Sequence, residues 1–513
     1  MKTLFENQIL SQKTPLVVLV TVIIGVLAFS FQGSRGIWQP DEGYYVGAAV
    51  TMLKNNNLLV PKISNEIFLE KPPMLYWQII SGIELLGRNE FACRFFNAVF
   101  FALTALLTGL LANDIFKNKF NAYLAAFIYA TMVVPFTASN FITPDTSLTL
   151  WTTLTILFFY KSLNIEKPTA GYFKILMCIA LGLGFLTKGP AVLIPCTGMF
   201  IYLMLTKQFK KFFLSPSFLL GAVLFLSIAL SWYAYISLKI PGSTAYFFDN
   251  QLWGRLVSEK YHRNPEWFKA LMYIPVIFGG ALPWLIIWPG YTEKMKSVLS
   301  KNWWKQLPQQ PGKLFLTTML LVPLLVLSLA SSKLPLYCLP LFPILAVIAS
   351  YLWTDKISFW MQNVKTKPLT VALFLLWILL LLSGRFTLGH FYNTPKDTRA
   401  LWTEIGDYIP NEKYEIVTLD KRADGLLFYG AMEVENVTRK KDPYPTFSMP
   451  ETIESEITEI IKDNHLYLFI IEKENRFVNT LELLKTYFGN IKTVILKHEK
   501  WLIIVDPKNL KEK

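Results

Sequence analysis

The residues best suited to chemistry are three carboxylates at the starts of predicted helices. Asp41 and Glu42 stand in Gln-Pro-Asp-Glu-Gly just before a helical segment, and Asp145 opens an apolar segment after Ile-Thr-Pro. A carboxylate can act as a general base or stabilise positive charge that develops in a reaction. The same positions also suit helix capping, because Asp accepts hydrogen bonds from the free N–H groups of a first turn. Both interpretations stay open at this point.

A second group consists of cations at the ends of apolar segments. Lys71 precedes two prolines, Lys188 and Lys333 stand at otherwise uncharged turns, and Arg255 lies in a charged, aromatic stretch. A long Lys side chain at such a place often only extends its charge to the membrane surface. Alternatively, Lys71 and Arg255 could hold a phosphate, for which Arg offers bidentate contacts. Tyr337, one turn after Lys333, is most simply an interfacial aromatic residue.

Metal binding has weaker support in the sequence. Glu70, beside Lys71, could join His262 at a divalent metal ion, although a lone surface His is more often no ligand. The four cysteines all lie in apolar stretches and lack CxxC spacing. A disulfide framework and a cysteine zinc site are therefore disfavoured.

The composition places these residues in a membrane protein. Of 513 residues, 53% are hydrophobic and 17% are charged, against about 25% charged in ordinary soluble domains. The mean hydropathy is +0.37. A single soluble globule of this length is excluded.

The net charge of +14 would suggest an acidic partner if it were spread evenly. The last 124 residues hold 21 acidic and 18 basic residues, whereas the first 389 hold 15 and 32. The excess cations lie in short loops between apolar runs, which is the pattern that orients membrane helices. The basicity therefore does not predict nucleic-acid binding.

Eleven segments are long enough to cross a bilayer, which predicts an α-helical polytopic protein with about 11–13 transmembrane helices. Lysines concentrate in every second loop, as in Lys207, Lys210 and Lys211, so the N-terminus is predicted inside. An odd number of spans then places the C-terminal region outside. The predicted spans are 15–31, 91–112, 121–137, 145–162, 172–187, 189–206, 217–238, 271–290, 314–330, 335–353 and 368–388.

Two domains follow from this pattern: a membrane domain over 1–390 and a soluble α/β domain over 391–513. The membrane domain has two long outer loops, 32–90 and 239–270, in which amphipathic helices are expected on the membrane surface. The soluble domain contains short buried strands and two helices, at 451–462 and 477–488. The predicted strands are YEIVTL, VENVT, LYLFII and VILKHEKWLIIV.

The ordered set of motifs resembles the bacterial members of the protein O-mannosyltransferase and aminoarabinose (lipid A) transferase superfamily, over roughly residues 30–350. No single motif is specific to this superfamily, but the occurrence of all of them in this order is. The matching pieces are Asp41-Glu42, Glu70-Lys71-Pro72, Asp145, Leu186-Thr187-Lys188-Gly189-Pro190, Trp232-Tyr233, Arg255 with His262 and Pro265, Pro283-Trp284, and Ser332-Lys333-Leu334-Pro335-Leu336-Tyr337.

The resemblance implies a C-type glycosyltransferase fold in the bacterial inner membrane, with the site and the C-terminal domain on the periplasmic face. It implies an inverting transfer of a sugar from a polyprenyl (undecaprenyl) phosphate to an envelope acceptor. Lys71 and Arg255, with Lys333 and Tyr337, would bind the donor phosphate, whose charge grows as the bond breaks. Asp41 would orient or deprotonate the acceptor, or stabilise charge on the sugar, and Asp145 would be the second acid. Glu42, Glu70 and Lys188 would have supporting roles.

The acceptor and the donor sugar stay open. Lipid A enzymes of this superfamily carry Asp-Glu-Thr-Arg-Tyr where this chain has Asp41-Glu42-Gly43-Tyr44-Tyr45. The Glu-Lys-Pro and Lys-Leu-Pro-x-Tyr matches favour a lipid A-type glycolipid, and a protein acceptor is the alternative. A requirement for a divalent metal is also open.

The sequence disfavours two other classes of function. A lipid or solute transporter expects polar residues near the bilayer midplane, often repeated in two halves, but here the charged candidates cluster on one face. An assembly protein without catalysis is disfavoured by the intact set of acids and cations.

Overall fold

Long helices dominate the computed structural model of the chain. It describes residues 13–164, 167–253, 266–285, 300–330, 332–438, 447 and 451–510. The helices in the first half are Lys13–Phe29, Asp41–Lys54, Met74–Leu86, Glu90–Phe116, Lys119–Thr131, Val133–Ala138, Pro144–Ser162, Ala170–Lys188, Ile194–Leu205, Phe209–Phe213 and Pro216–Lys239. Those that follow are Ser243–Ala245, Tyr273–Gly280, Lys301–Gln306, Pro311–Leu329, Phe342–Gln362, Lys367–His390, Thr398–Ile405, Leu426–Tyr429, Ile453–Ile460 and Glu474–Tyr487. Shorter 3-10 and π turns connect several of these helices.

Six helical stretches in the described part of the chain are long and apolar enough to cross a membrane. One of them covers two predicted spans: the helix Ala170–Lys188 ends at Gly189, which has a positive φ, and a short 3-10 turn at Gly189–Leu193 leads into the helix Ile194–Leu205. The predicted segment 121–137 is divided into two short helices, and 271–290 lies partly outside the described residues. The six stretches are Glu90–Phe116, Ala170–Leu205, Pro216–Lys239, Pro311–Leu329, Pro335–Gln362 and Lys367–His390.

The chain forms two compact units. The first contains 1–32, 95–238 and 252–386, and the second contains 33–94, 239–251 and 387–513. The long loop 33–94 therefore folds in one unit with the C-terminal region.

Polar side chains inside the first unit bond to their own or neighbouring backbones. The Thr149 hydroxyl donates to the Asp145 carbonyl at 2.7 Å, and the Thr153 hydroxyl donates to the Thr149 carbonyl at 2.6 Å. Arg385, 5% exposed, donates to the carbonyls of Leu27 and Phe136. Such bonds satisfy groups that would be costly to leave unpaired in an apolar environment.

The second unit has a short antiparallel hairpin and a six-stranded mixed sheet. The hairpin strands are β1 (Lys62–Ile63) and β2 (Glu66–Ile67). The sheet has the order β5-β4-β3-β6-β8-β7, in which β8 pairs antiparallel to both β6 and β7 and the other pairs are parallel. Its strands are β3 (Tyr414–Leu419), β4 (Val434–Thr438), β5 (Glu451–Thr452), β6 (Leu466–Glu472), β7 (Ile491–Leu496) and β8 (Lys500–Val505).

The predicted α/β character of the C-terminal region is confirmed. Every residue of β3 is buried, as expected for an inner parallel strand with both faces covered. The helices Ile453–Ile460 and Glu474–Tyr487 correspond to the two predicted helices. The last predicted strand is instead a hairpin of β7 and β8, because His498 and Glu499 adopt positive φ angles and turn the chain.

One buried carboxyl in this sheet is held in its protonated form. Burial, followed by a hydrogen bond to Glu435 and the charges of Glu433 and Glu456, raises the pKa of Glu415 to about 10. His465 also faces it, with Nε2 at 3.5 Å from Oε2. The proton bound in the folded state stabilises the fold fully below the ordinary pKa of 4.5, and this stabilisation is lost as the pH rises towards 10.

We therefore expect Glu415→Gln to remove part of the pH dependence of the sheet's stability. Hydrogen exchange of β3 amides, corrected for intrinsic rates, should increase between pH 6 and pH 9 in the wild type and change less in the variant. Glu412→Gln, at an exposed position two residues before β3, is the matched control. Equal pH responses in the wild type and Glu415→Gln would contradict the assignment.

Candidate active site

The Asp41–Lys54 helix, here called the first loop helix, is held at its start by a buried ion cluster. Glu42, 2% exposed, accepts bidentate hydrogen bonds from Arg35 at 2.6 and 2.7 Å. Its Oε2 also accepts from Arg94 at 3.0 Å and from the Trp38 amide at 2.9 Å. These short, charge-assisted bonds fix the carboxylate in place.

The two arginines also bind the backbone that leads into the helix. Arg94 donates to the carbonyls of Arg35 and Gly36 at 2.9 and 2.8 Å, and the Arg35 guanidinium lies 4.4 Å from the Trp38 ring centroid. Burial and the charge of Arg94 lower the pKa of Arg35, whereas Glu42 raises it. Glu42 is thus a structural anchor of the loop.

Asp41, the neighbour of this anchor, is exposed to solvent. The helix has Pro40 at its N-cap, and among the described residues the Asp41 carboxylate makes no hydrogen bond or ion pair. The capping interpretation of Asp41 is therefore wrong, because Asp41 is already inside the helix. Its carboxylate is accessible to a substrate.

Asp145 is likewise not a cap, and it pairs with a predicted supporting residue. Thr143 is at the N-cap of the Pro144–Ser162 helix, and the Asp145 Oδ1 lies 2.5 Å from the Lys188 ammonium. The same ammonium lies 4.5 Å from the ring centroid of Tyr337. The structure thus brings Asp145, Lys188 and Tyr337 together in the first unit, although 192 positions separate the first of them from the last.

The remaining lysines of the predicted set differ in burial. Lys333, in the first unit, is 3% exposed, so extension of its charge to the membrane surface is excluded. Lys71, in the second unit, is half-buried and donates a hydrogen bond to the Glu70 carbonyl at 3.1 Å. That bond fixes the ammonium beside the prolines that begin the next helix.

Two predicted site residues, Arg255 and His262, lie outside the described residues. Within the described ranges, no group of three His, Cys, Asp or Glu side chains is placed to hold a metal ion. A contribution of Glu70 to a metal site therefore stays a hypothesis.

A second ion cluster contacts the first loop helix one turn after Asp41, and sequence reasoning missed it. The Arg422 guanidinium lies 5.6 Å from the Tyr44 ring centroid and pairs with Asp424 at 2.9 Å and Glu66 at 3.5 Å. Tyr44 is the residue that replaces Arg in the lipid A-type motif. The C-terminal region thus brings the cation of Arg422 next to Tyr44, the position at which this chain lacks the Arg of that motif.

The pKa values in this cluster reflect its burial. Desolvation raises the pKa of Glu66 to about 7 even though Arg422 opposes the shift. Desolvation also raises the pKa of Tyr44, to which the charge of Asp424 contributes. Tyr44 is therefore a neutral phenol at physiological pH.

Comparison with known proteins agrees with the motifs. The family profile described as dolichyl-phosphate-mannose-protein mannosyltransferase matches residues 14–247. A Yersinia enterocolitica undecaprenyl phosphate-alpha-4-amino-4-deoxy-L-arabinose arabinosyl transferase is 31% identical over 324 residues, covering 62% of this chain and 56% of the relative. A Proteus mirabilis protein with that name, numbered 2, is 33% identical over 337 residues, covering 64% and 57%.

Over these residues the chain is similar to the protein mannosyltransferase family and to the aminoarabinose transferases. It spans a little over half the length of these curated relatives. It is a multi-pass membrane protein, as its apolar helices and its relatives agree.

Two solved structures match over nearly the whole chain. ArnT from Cupriavidus metallidurans bound to undecaprenyl phosphate has a TM-score of 0.76 at 18% identity, covering 96% of this chain and 98% of that one. The archaeal oligosaccharyltransferase AglB from Archaeoglobus fulgidus has a TM-score of 0.54 at 14% identity, covering 96% and 74%. The predicted C-type glycosyltransferase fold is thereby confirmed.

The ion cluster predicts a sharp difference between two adjacent carboxylates. Glu42→Gln leaves Arg35 and Arg94 buried without their counter-ion, which should destabilise the protein by about 3–5 kcal/mol. Asp41→Asn, the same chemical change at an exposed position, should leave the thermal midpoint of the detergent-solubilised protein within about 1 °C. Equal midpoints for the two variants would show that Glu42 is not an anchor.

Proposed function

We propose that the protein is an inverting glycosyltransferase that moves a sugar from a polyprenyl phosphate to an envelope glycolipid. The observation that carries this proposal is the arrangement at the start of the first loop helix. There a buried, doubly paired Glu42 fixes the backbone, and the adjacent Asp41 carboxylate is left accessible. An accessible carboxylate held by a rigid support is what general-base or charge-stabilising chemistry needs.

The proposed donor is undecaprenyl phosphate carrying 4-amino-4-deoxy-L-arabinose. The names of the curated relatives and the undecaprenyl phosphate in the ArnT structure support this choice. In the proposed reaction the acceptor oxygen forms a bond to the anomeric carbon of the sugar. At the same time the bond between that carbon and the phosphate oxygen breaks. Undecaprenyl phosphate then leaves with the electron pair.

The proposed roles of the cations follow from this charge movement. The leaving phosphate gains negative charge in the transition state, so cations already in place lower the barrier. Lys71 and Arg255 are the proposed phosphate ligands, and Lys333 and Tyr337 have proposed supporting roles. The ion pair of Lys188 with Asp145 orients that second acid.

Asp41 has two possible roles, which depend on the acceptor. A hydroxyl acceptor must lose a proton, and Asp41 would then be its general base. A phosphate acceptor is already ionised, and Asp41 would then stabilise the positive charge that develops on the sugar. Glu70 and His262 stay proposed ligands of an optional divalent metal.

The proposed acceptor is lipid A or a related glycolipid. The alternative acceptor is a protein, and the match to the protein mannosyltransferase profile over 14–247 supports that alternative. Tyr44, which replaces the Arg of the lipid A-type motif, distinguishes this chain from those enzymes at a position one turn from Asp41.

The proposed site faces the periplasm from the bacterial inner membrane. The alternation of Lys-rich loops supports this orientation, because cations concentrate on the cytoplasmic side. In this arrangement 1–390 carries out transfer, and 391–513 forms the α/β domain on the same outer face.

The first test is activity. Asp41→Ala should lower the rate of transfer from undecaprenyl-linked aminoarabinose by about 10²–10⁴-fold, and Lys71→Ala by about 10²-fold or more. Both variants should remain folded and inserted in the membrane. Lys62→Ala, a change of a lysine in the same loop, is the matched control and should retain activity. Full transfer by both site variants would refute the assignment.

The acceptor is identified by a comparison of cells with and without the gene. Mass spectrometry of lipid A should show loss of an added pentosamine when the gene is deleted. A deletion that changes no glycolipid but removes a sugar from envelope proteins would replace the glycolipid acceptor by the protein alternative.

A further inference from the structure

A cavity of about 420 Å³ lies in the second unit, away from Asp41. It is enclosed by the C-terminal end of the first loop helix, the hairpin turn at Ser64 and Asn65, and the segment 427–433 of the C-terminal region. Lys54, the last residue of the helix, lines it. At 1.5 Å per residue the helix places Lys54 about 20 Å from Asp41. This cavity is therefore separate from the proposed catalytic carboxylate.

Two cations line the cavity without a carboxylate partner. The Lys54 ammonium is 3.4 Å from the Met432 carbonyl, and the Arg88 guanidinium donates one Nη2 bond to the Leu427 carbonyl. Neither forms an ion pair with any residue that the structure describes. Desolvation lowers the pKa of Arg88, as expected for a cation without a neutralising neighbour.

The acidic residue of the lining is already engaged. The Glu433 carboxylate accepts a hydrogen bond from the Asn65 amide. The Arg88 guanidinium is also oriented, because its central carbon lies 5.7 Å from the Phe428 ring centroid. Its Nε and Nη1 groups make no hydrogen bond within the described part of the chain. The cavity thus offers oriented, unneutralised donors that suit an anion.

The surroundings of the cavity indicate where such an anion would come from. Met432, which lines the cavity, is 48% exposed, and Leu85 on the neighbouring Met74–Leu86 helix is 68% exposed. Three more leucines, which lie within a few positions of lining residues in the sequence, are also exposed: Leu58, Leu59 and Leu86. Apolar side chains exposed beside cations are typical of a surface that lies on a bilayer.

We propose that this cavity binds the phosphate headgroup of an anionic membrane lipid, with Arg88 and Lys54 as its ligands. The ligand chemistry is a phosphate ester, and the exposed leucines favour the lipid over a soluble phosphate as its source. A bound headgroup would hold the loop and the C-terminal region together at the membrane surface. The proposal does not depend on the transfer activity proposed above.

The test is a binding titration of the full-length protein in neutral detergent, with native mass spectrometry as the readout of bound ligand. The probes are phosphatidylglycerol, phosphatidylcholine and inorganic phosphate. The double variant Lys54→Ala/Arg88→Ala should weaken phosphatidylglycerol binding by about tenfold or more. Asn55→Glu, which adds a negative charge at an exposed lining position and removes no contact, should weaken it as well.

The matched control is Lys413→Ala/Lys462→Ala, which removes two exposed cations of the same unit that do not line the cavity. It should retain wild-type affinity, and all variants should keep the wild-type thermal midpoint without lipid. An equal loss of phosphatidylglycerol affinity in this control would overturn the assignment of the cavity as the binding site. Undiminished binding by both cavity variants would overturn it as well. Equal binding of phosphatidylcholine would overturn the anion preference. Cavity-dependent binding of inorganic phosphate as tight as that of the lipid would overturn the lipid source.

Discussion

The pairing of one buried carboxylate with two buried arginines determines the geometry at the start of the loop 33–94. Glu42, Arg35 and Arg94 are each almost fully removed from solvent, and an unpaired charge at any of these positions would be costly. Together they join the chain that enters the loop, the start of the first loop helix, and the start of the Glu90–Phe116 helix. The position of Asp41 follows from that junction. The Asp41 side chain, which makes no hydrogen bond to the residues that the structure describes, is thus positioned by its neighbour Glu42.

Polar groups inside the long apolar helices are satisfied in another way, because few polar side chains lie near them. The Pro144–Ser162 helix contains several buried threonines whose hydroxyls bond to carbonyls three or four residues earlier. Arg385 uses backbone carbonyls and the Ser139 hydroxyl instead of a carboxylate. Arg35 and Arg94 are therefore paired with a carboxylate, whereas Arg385 is paired with oriented dipoles.

Sequence patterns predicted the elements better than the contacts between them. The buried strand Tyr414–Leu419 and the Lys367–His390 helix could be located because their signal is local, as continuous apolar character over a defined length. The ion pair of Asp145 with Lys188 depends on how two helices pack, which no local pattern encodes. Arg35 could have been suspected, since it is a cation in the loop 32–90, which the charge bias assigns to the outer face, and Arg94 follows closely at the start of a predicted span. The role of Arg422 could not, because it lies some 380 residues from Tyr44 in the sequence.

The Asp145–Lys188 ion pair has a consequence for how this protein is made. It joins the first turn of the Pro144–Ser162 helix to the last residue of the Ala170–Lys188 helix, and the two helices pack as a hairpin. The first of them is not among the six helices apolar enough to be recognised as spans by themselves. In the hairpin, however, the ion pair places the two opposite charges together at one end. We therefore expect the two helices to enter the bilayer as a pair, because the transfer of one of these charges without the other would be costly.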